Sequence, residues 1–130
     1  MPLVALPELT RVLIVEDNDE LRRQLVREFT ERGYAVEAVR TLGGGLDVAR
    51  RFLPHVILTE LLLPDVRSYR FCDAYRSALP HPITICAVTR LPQLIFESAR
   101  NAGFDEVFGK PVDLDALLAR VERAVLERDN

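Results

Sequence analysis

Short runs of β-branched and aliphatic residues, each bounded by turn formers, recur five times along the chain, at residues 11–15 (RVLIV), 35–39 (AVEAV), 55–59 (HVILT), 83–88 (ITICAV) and 106–108 (EVF). Each has the length and composition of a strand. Between and after them the apolar residues change period. Leu21, Leu25 and Phe29 recur every four positions; Leu42, Leu46, Ala49 and Leu53 repeat the spacing. Phe71, Cys72 and Tyr75 mark a third segment, Leu91, Ile95, Ala99 and Ala102 a fourth, and Leu114, Leu117, Leu118, Val121 and Val125 a fifth. This spacing stacks side chains on one face of a helix. Strand then helix, five times, requires crossover connections. The predicted architecture is therefore α/β, a doubly wound (βα)5 parallel sheet of five strands covered on both faces. Residues 1–10 are expected to be an N-terminal tail and residues 11–128 a single domain.

The boundaries carry matching chemistry. Asn18 or Asp19 can cap the first helix, Thr41 the second and Asp113 the last; Pro92 suits the first turn of the fourth, and Gly33 and Gly103 suit helix C-termini. Gly43, Gly44 and Gly45 conflict with this pattern, because each glycine in a helix costs about 1 kcal/mol relative to alanine. The start of the second helix is expected to be irregular.

Composition narrows the class. At 130 residues the chain can bury one substantial core without a metal or disulfide staple. Cys72 and Cys86 have no metal-ligand spacing and are expected to be buried, reduced thiols. The net charge of −3 and the scattered arginines argue against nucleic-acid binding by this chain. No run approaches a membrane span and the first residues lack the basic and apolar regions of a signal peptide, so a soluble, cytoplasmic protein is expected.

In a parallel sheet, chemistry gathers at the carboxyl ends of the strands, beside the point where strand order reverses. After the first strand stand Glu16 and Asp17, after the third Glu60, at the end of the fourth Thr89, and after the fifth Lys110. The lysine is informative because the chain uses arginine sixteen times and lysine once. A compact ammonium suits a site where one oxygen among carboxylates must be touched. Three acids together would hold Mg²⁺ through carboxylates, a backbone carbonyl and waters, or would push at least one carboxyl up, or would take Lys110 as an internal counter-ion.

With these residues in place, VLIVEDNDELR, PHVILTELLLPD, AVTR and FGKP resemble the corresponding segments of the receiver domain of two-component response regulators, over about residues 11–127. The resemblance implies the flavodoxin-like receiver fold. It implies Mg²⁺ held by Glu16, Asp17, the acid at position 60 and the backbone carbonyl of Leu62, and a phosphoryl group accepted at position 60 from a histidine kinase. It also implies that Thr89 and Lys110 turn toward that phosphoryl, and that the Lys110–Pro111 bond is cis.

The chain departs from the family pattern at three places. Glu60 stands where the family carries aspartate, and the extra methylene moves the carboxylate outward by about 1 Å, a misplacement that can cost about a hundredfold in rate. The longer acid instead puts a fixed negative charge where a phosphoryl oxygen would sit, within reach of Lys110 and of the Thr89 hydroxyl. Val107 occupies the position of the family's switching aromatic, with Phe108 next to it, and Ser68 stands where a glycine is common. The resemblance also directs attention to the face formed by the fourth helix, fifth strand and fifth helix, where Leu94, Phe96 and Phe108 would serve a protein partner or a homodimer.

The expected function is a receiver-like signalling module, not an enzyme. It would work without phosphorylation, by docking to a histidine kinase or a downstream effector. The alternatives are a conventional phosphoreceiver still modified by a kinase, and a Mg²⁺-dependent phosphohydrolase or flavodoxin-like binding protein. His55 and His81, expected in surface loops, lie away from the site in either case.

Overall fold

The structure, a computed structural model, describes residues 9–129. The predicted tail therefore falls outside the described residues except for Leu9 and Thr10, which have no regular structure. The elements alternate as the pattern required: β1 (Arg11–Val15), α1 (Asp19–Glu31), β2 (Ala35–Val39), α2 (Leu42–Phe52), β3 (Val56–Thr59), α3 (Cys72–Ala78), β4 (Thr84–Thr89), α4 (Phe96–Asn101), β5 (Glu106–Gly109) and α5 (Leu114–Asp129). All neighbouring strands run parallel in the order β2-β1-β3-β4-β5. Strand order reverses between β1 and β3. The third and fourth strands each begin one residue later than expected, at Val56 and Thr84.

Successive strand residues face opposite sides, so each central strand feeds two cores. Val12, Ile14, Val56, Leu58, Cys86 and Val88 pack with Leu25 and Phe29 of α1 and with Leu117 and Val121 of α5. Leu13, Val15, Ile57, Ile85, Ala87 and Val107 pack on the other side with Ala49 of α2, Tyr75 of α3 and Ala99 of α4. This two-sided burial explains why β1, β3 and β4 read as apolar runs without alternation. Burying a side chain such as Leu25 or Phe29 contributes roughly 1.5–3 kcal/mol. Cys72 and Cys86 are free and buried, and burial pushes both thiols up to about 12.

The start of α2 corrects the expectation of an irregular turn: it is regular from Leu42. Every orphan amide of its first turn finds a partner. Thr41 Oγ1 accepts from Gly44 N and the Thr41 carbonyl from Gly45 N, both at 3.0 Å. The Asp65 carboxylate, reaching across from the loop after β3, accepts from Leu42 N and Gly43 N at 2.9 Å. Gly45 is required for a second reason: a Cβ there would meet Tyr75 Oη, with Val15 Cγ2 at 3.1 Å.

These backbone hydrogen bonds, that from Gly43 first, hold the Asp65 carboxyl below its ordinary 3.8. A depressed acid contributes stability that is present above its unfolded value and lost as pH falls through the folded one. Asp65→Ala is expected to lower stability by about 1 kcal/mol at neutral pH, with wild type and variant converging in acid. Urea midpoints measured at both pH values check this, and a deficit that persists undiminished in acid would contradict it.

The fourth helix is also corrected. Pro92 is extended, residues Gln93–Ile95 form a 3₁₀ turn, and only six residues are α-helical. The tightened turn, closed by Ile95 N donating to the Pro92 carbonyl at 2.9 Å, lays the Phe96 ring against Gly109, where a Cβ would lie 3.4 Å from its Cζ.

Candidate functional site

The ends of β1, β3, β4 and β5 bring the predicted cluster together at the carboxyl edge of the sheet. Glu16 and Glu60, each one residue past a strand whose last four residues are buried, are themselves buried, at 2% and 1% exposure. Lys110 lies between them, its Nζ 2.7 Å from Glu16 Oε1 and 3.3 Å from Glu60 Oε1. The Lys110–Pro111 bond is cis.

The oxygens of Glu60 are heavily subscribed. Oε2 accepts from Leu61 N at 2.5 Å and from Leu62 N at 3.2 Å. Oε1 faces Lys110 and also accepts from Arg90 N at 3.2 Å and Arg90 Nη1 at 3.4 Å. Glu16 Oε2 accepts from Asn18 N at 3.0 Å. Burial is the largest influence on Glu16 and pushes its carboxyl up from 4.5, against the pull of Lys110. On Glu16, desolvation thus outweighs the attraction of its ammonium partner.

One expectation about the geometry of this cluster needs correction. The Thr89 hydroxyl is buried at the end of β4, but it does not reach Glu60; it accepts from Leu91 N at 3.1 Å and shapes the turn leaving the strand. The bond expected from Thr89 comes from Arg90 instead. Arg90 was visible in the AVTR segment as a cation directly after a strand end, but residue pattern carries no information on where a long side chain folds back. Asp65 was missed for a similar reason, because its partners lie 22 and 23 residues away in sequence.

The remaining candidates are spread around this center. Val107 is buried in the core shared with α2, α3 and α4. Phe108 is half-buried against the opposite core, and Phe96 against the first. Of the three apolar residues assigned to a docking face, only Leu94, at 79% exposure, is open. His55 and His81 are not free loop side chains. Their rings lie 5.4 Å apart at the amino edge of the sheet, His55 Nδ1 accepts from Arg11 N at 3.0 Å, and His81 Nε2 is 2.9 Å from the Pro54 carbonyl.

The expected Mg²⁺ is not well served by this arrangement. A carboxylate offers about four lone-pair sites, and Glu60 already faces five donors: Lys110 Nζ, Arg90 N, Arg90 Nη1, Leu61 N and Leu62 N. Both oxygens of Glu16 are engaged as well. Asp17 Oδ1 is buried without a hydrogen bond, with Arg90 Nη1 3.9 Å away, and such an oxygen falls short of a site for an octahedral ion. Among the described residues, no three His, Cys, Asp or Glu side chains are grouped to hold a metal ion.

Comparisons with known proteins agree with the fold. The response regulator ArlR of Staphylococcus aureus is 34% identical over 92% of this chain and 54% of its own length, so the chain spans about half the length of the curated relatives it matches. A two-component response regulator from Clostridium difficile superposes with a TM-score of 0.85 at 20% identity, over 93% of this chain and 99% of that one. A response regulator protein from Burkholderia pseudomallei, solved with a phosphorylated aspartic acid, calcium ion and citrate, superposes with a TM-score of 0.75 at 23% identity, over 85% of this chain and 65% of that one. No helix among the described residues is long and apolar enough to cross a membrane. The family model of the response regulator receiver domain matches residues 12–122, and the chain belongs to that family of signalling domains.

Proposed function

We propose that residues 11–128 form an atypical receiver unit in which Glu60 stands at the phosphoacceptor position and supplies a permanent negative charge. The unit acts by docking to a protein partner, a histidine kinase or a downstream effector, without being phosphorylated. The observation that carries this reading is the saturation of Glu60: both of its oxygens are held by backbone amides and two cations. No lone pair is left to attack a phosphodonor in line. Lys110, which in the family pairs with the phosphoryl group, here pairs with the acid itself. Val107 supports the same view, since a buried valine has no aromatic rotamer to switch. The docking face runs through α4, β5 and α5, with Leu94 its exposed apolar point, and the same face would serve a homodimer.

The test is chemical. Incubated with Mg²⁺ and acetyl phosphate, the wild-type chain is expected to keep its mass, whereas Glu60→Asp gains one phosphoryl group, because the shorter acid withdraws from its donors and regains the family geometry. A stable wild-type adduct would make the chain a conventional phosphoreceiver, like the phosphorylated Burkholderia protein.

A further inference from the structure

Arg90 follows the last residue of β4, and its side chain is 52% exposed. An exposed arginine normally extends into solvent, but this one folds back over the acids. Nη1 lies 3.4 Å from Glu60 Oε1 and 3.9 Å from Asp17 Oδ1, while Nη2 lies 3.5 Å from the Leu62 carbonyl. Asp17, Glu60 and the Leu62 carbonyl are the oxygens that the family resemblance assigns to the divalent ion. One planar cation approaches all three.

We propose that the Arg90 guanidinium takes the place of the metal in this chain, so that the site is electrostatically complete without a divalent ion. Three carboxylates, Glu16, Asp17 and Glu60, face two fixed cations, Lys110 and Arg90, leaving a single net negative charge. The two cations divide the work. Lys110 joins Glu16 to the inner side of Glu60, and Arg90 joins Asp17 to its outer side and ties the loop after β3 to the loop after β4. A guanidinium suits this role because it is weakly hydrated and spreads five donors over a plane. Mg²⁺, by contrast, sheds water reluctantly and demands short octahedral bonds. To enter, it would have to expel Arg90 and break into the Glu60 donor set. The inference rests on the reading of Glu60 as a fixed charge, but it concerns the cation rather than the phosphoryl group.

The experiment is a calorimetric titration of the full chain with MgCl₂, with no phosphodonor present, accompanied by amide spectra of the site. Wild type is expected to show no saturable binding and no shifts at Asp17, Glu60 or Leu62. Arg90→Ala, which removes the competing charge from a half-exposed position, is expected to bind Mg²⁺ saturably, with a gain of at least about tenfold. Arg90→Gln, which keeps most of the side-chain packing, should gain in the same direction and stands in if the alanine variant does not fold. Saturable wild-type binding as tight as that of the variants overturns the proposal, and so does an absence of binding in all three proteins, which would make Lys110 sufficient to exclude the ion. Because no phosphodonor is used, a wild-type chain that is blind to Mg²⁺ yet modified by acetyl phosphate would refute the proposed function and leave the role of Arg90 intact.

Discussion

Lys110→Met is expected to lower stability by about 3–5 kcal/mol at neutral pH, the usual cost of leaving a buried charge without its partner. Glu16 is 2% exposed, and among the described residues Lys110 is its only cationic partner, at 2.7 Å; Glu60 keeps Arg90 but loses the inner contact. A methionine fills much of the same volume, so packing loss contributes little. The effect should depend on pH in a defined direction. Burial already pushes the Glu16 carboxyl up from 4.5 while Lys110 pulls it down, and removing the lysine leaves burial unopposed. An acid whose folded value is raised contributes stability that is fully present below its unfolded value and is lost as pH rises through the folded one. The deficit of the variant is therefore largest at neutral pH and shrinks as pH falls toward the ordinary glutamate range. Urea denaturation of both proteins across this interval measures it. A deficit that stays constant, or deepens in acid, would mean that the ammonium stabilises the fold by packing rather than by charge.

Gly45→Ala should also be destabilising, against the helix propensity of the residue introduced. In an exposed helix the exchange would gain about 1 kcal/mol. Here the new methyl group meets Tyr75 Oη, with Tyr75 Cζ at 3.3 Å and Val15 Cγ2 at 3.1 Å. Tyr75 and Val15 are fully buried in the same core. Neither can retreat without displacing its neighbours, and overpacking of this kind costs typically about 1–3 kcal/mol. Tyr75 Oη has no hydrogen-bond partner in its buried site, so its removal should cost nothing. Tyr75→Phe is thus expected to be neutral or stabilising alone and to restore much of what Gly45→Ala loses. Thermal midpoints of the four proteins form a double-mutant cycle; additive effects would show that the strain lies elsewhere, at Val15 or in the backbone of α2.

What the sequence disclosed and what it withheld have the same physical origin. β1, β3 and β4 were legible because strands buried on both faces must be apolar throughout, and their order fixed where Glu16, Asp17, Glu60 and Lys110 would meet. Those four side chains are short or stand at strand ends, where backbone position nearly determines side-chain position. Arg90 and Asp65 act at a distance, through a long flexible stem and across a loop, and hydrophobic periodicity is silent about both. Thr89 was correctly placed at the strand end but wrongly oriented, since a turn amide at Leu91 competes for its hydroxyl. The glycine run opening α2 misled because its cost was judged locally. Asp65 supplies the capping and Tyr75 sets the space limit, and neither lies in the helix. Phe96 was assigned to a surface because a full helix was expected there, whereas the 3₁₀ turn rotates its ring onto Gly109.

The carboxylate at position 60 is either a fixed charge or an acceptor. Intact-mass analysis of the wild-type chain after incubation with Mg²⁺ and acetyl phosphate, with Glu60→Asp carried alongside, addresses that choice most directly. The prediction is an unmodified wild-type protein beside a variant that carries one phosphoryl group. A phosphorylated wild-type chain, with the group mapped to Glu60, would contradict it.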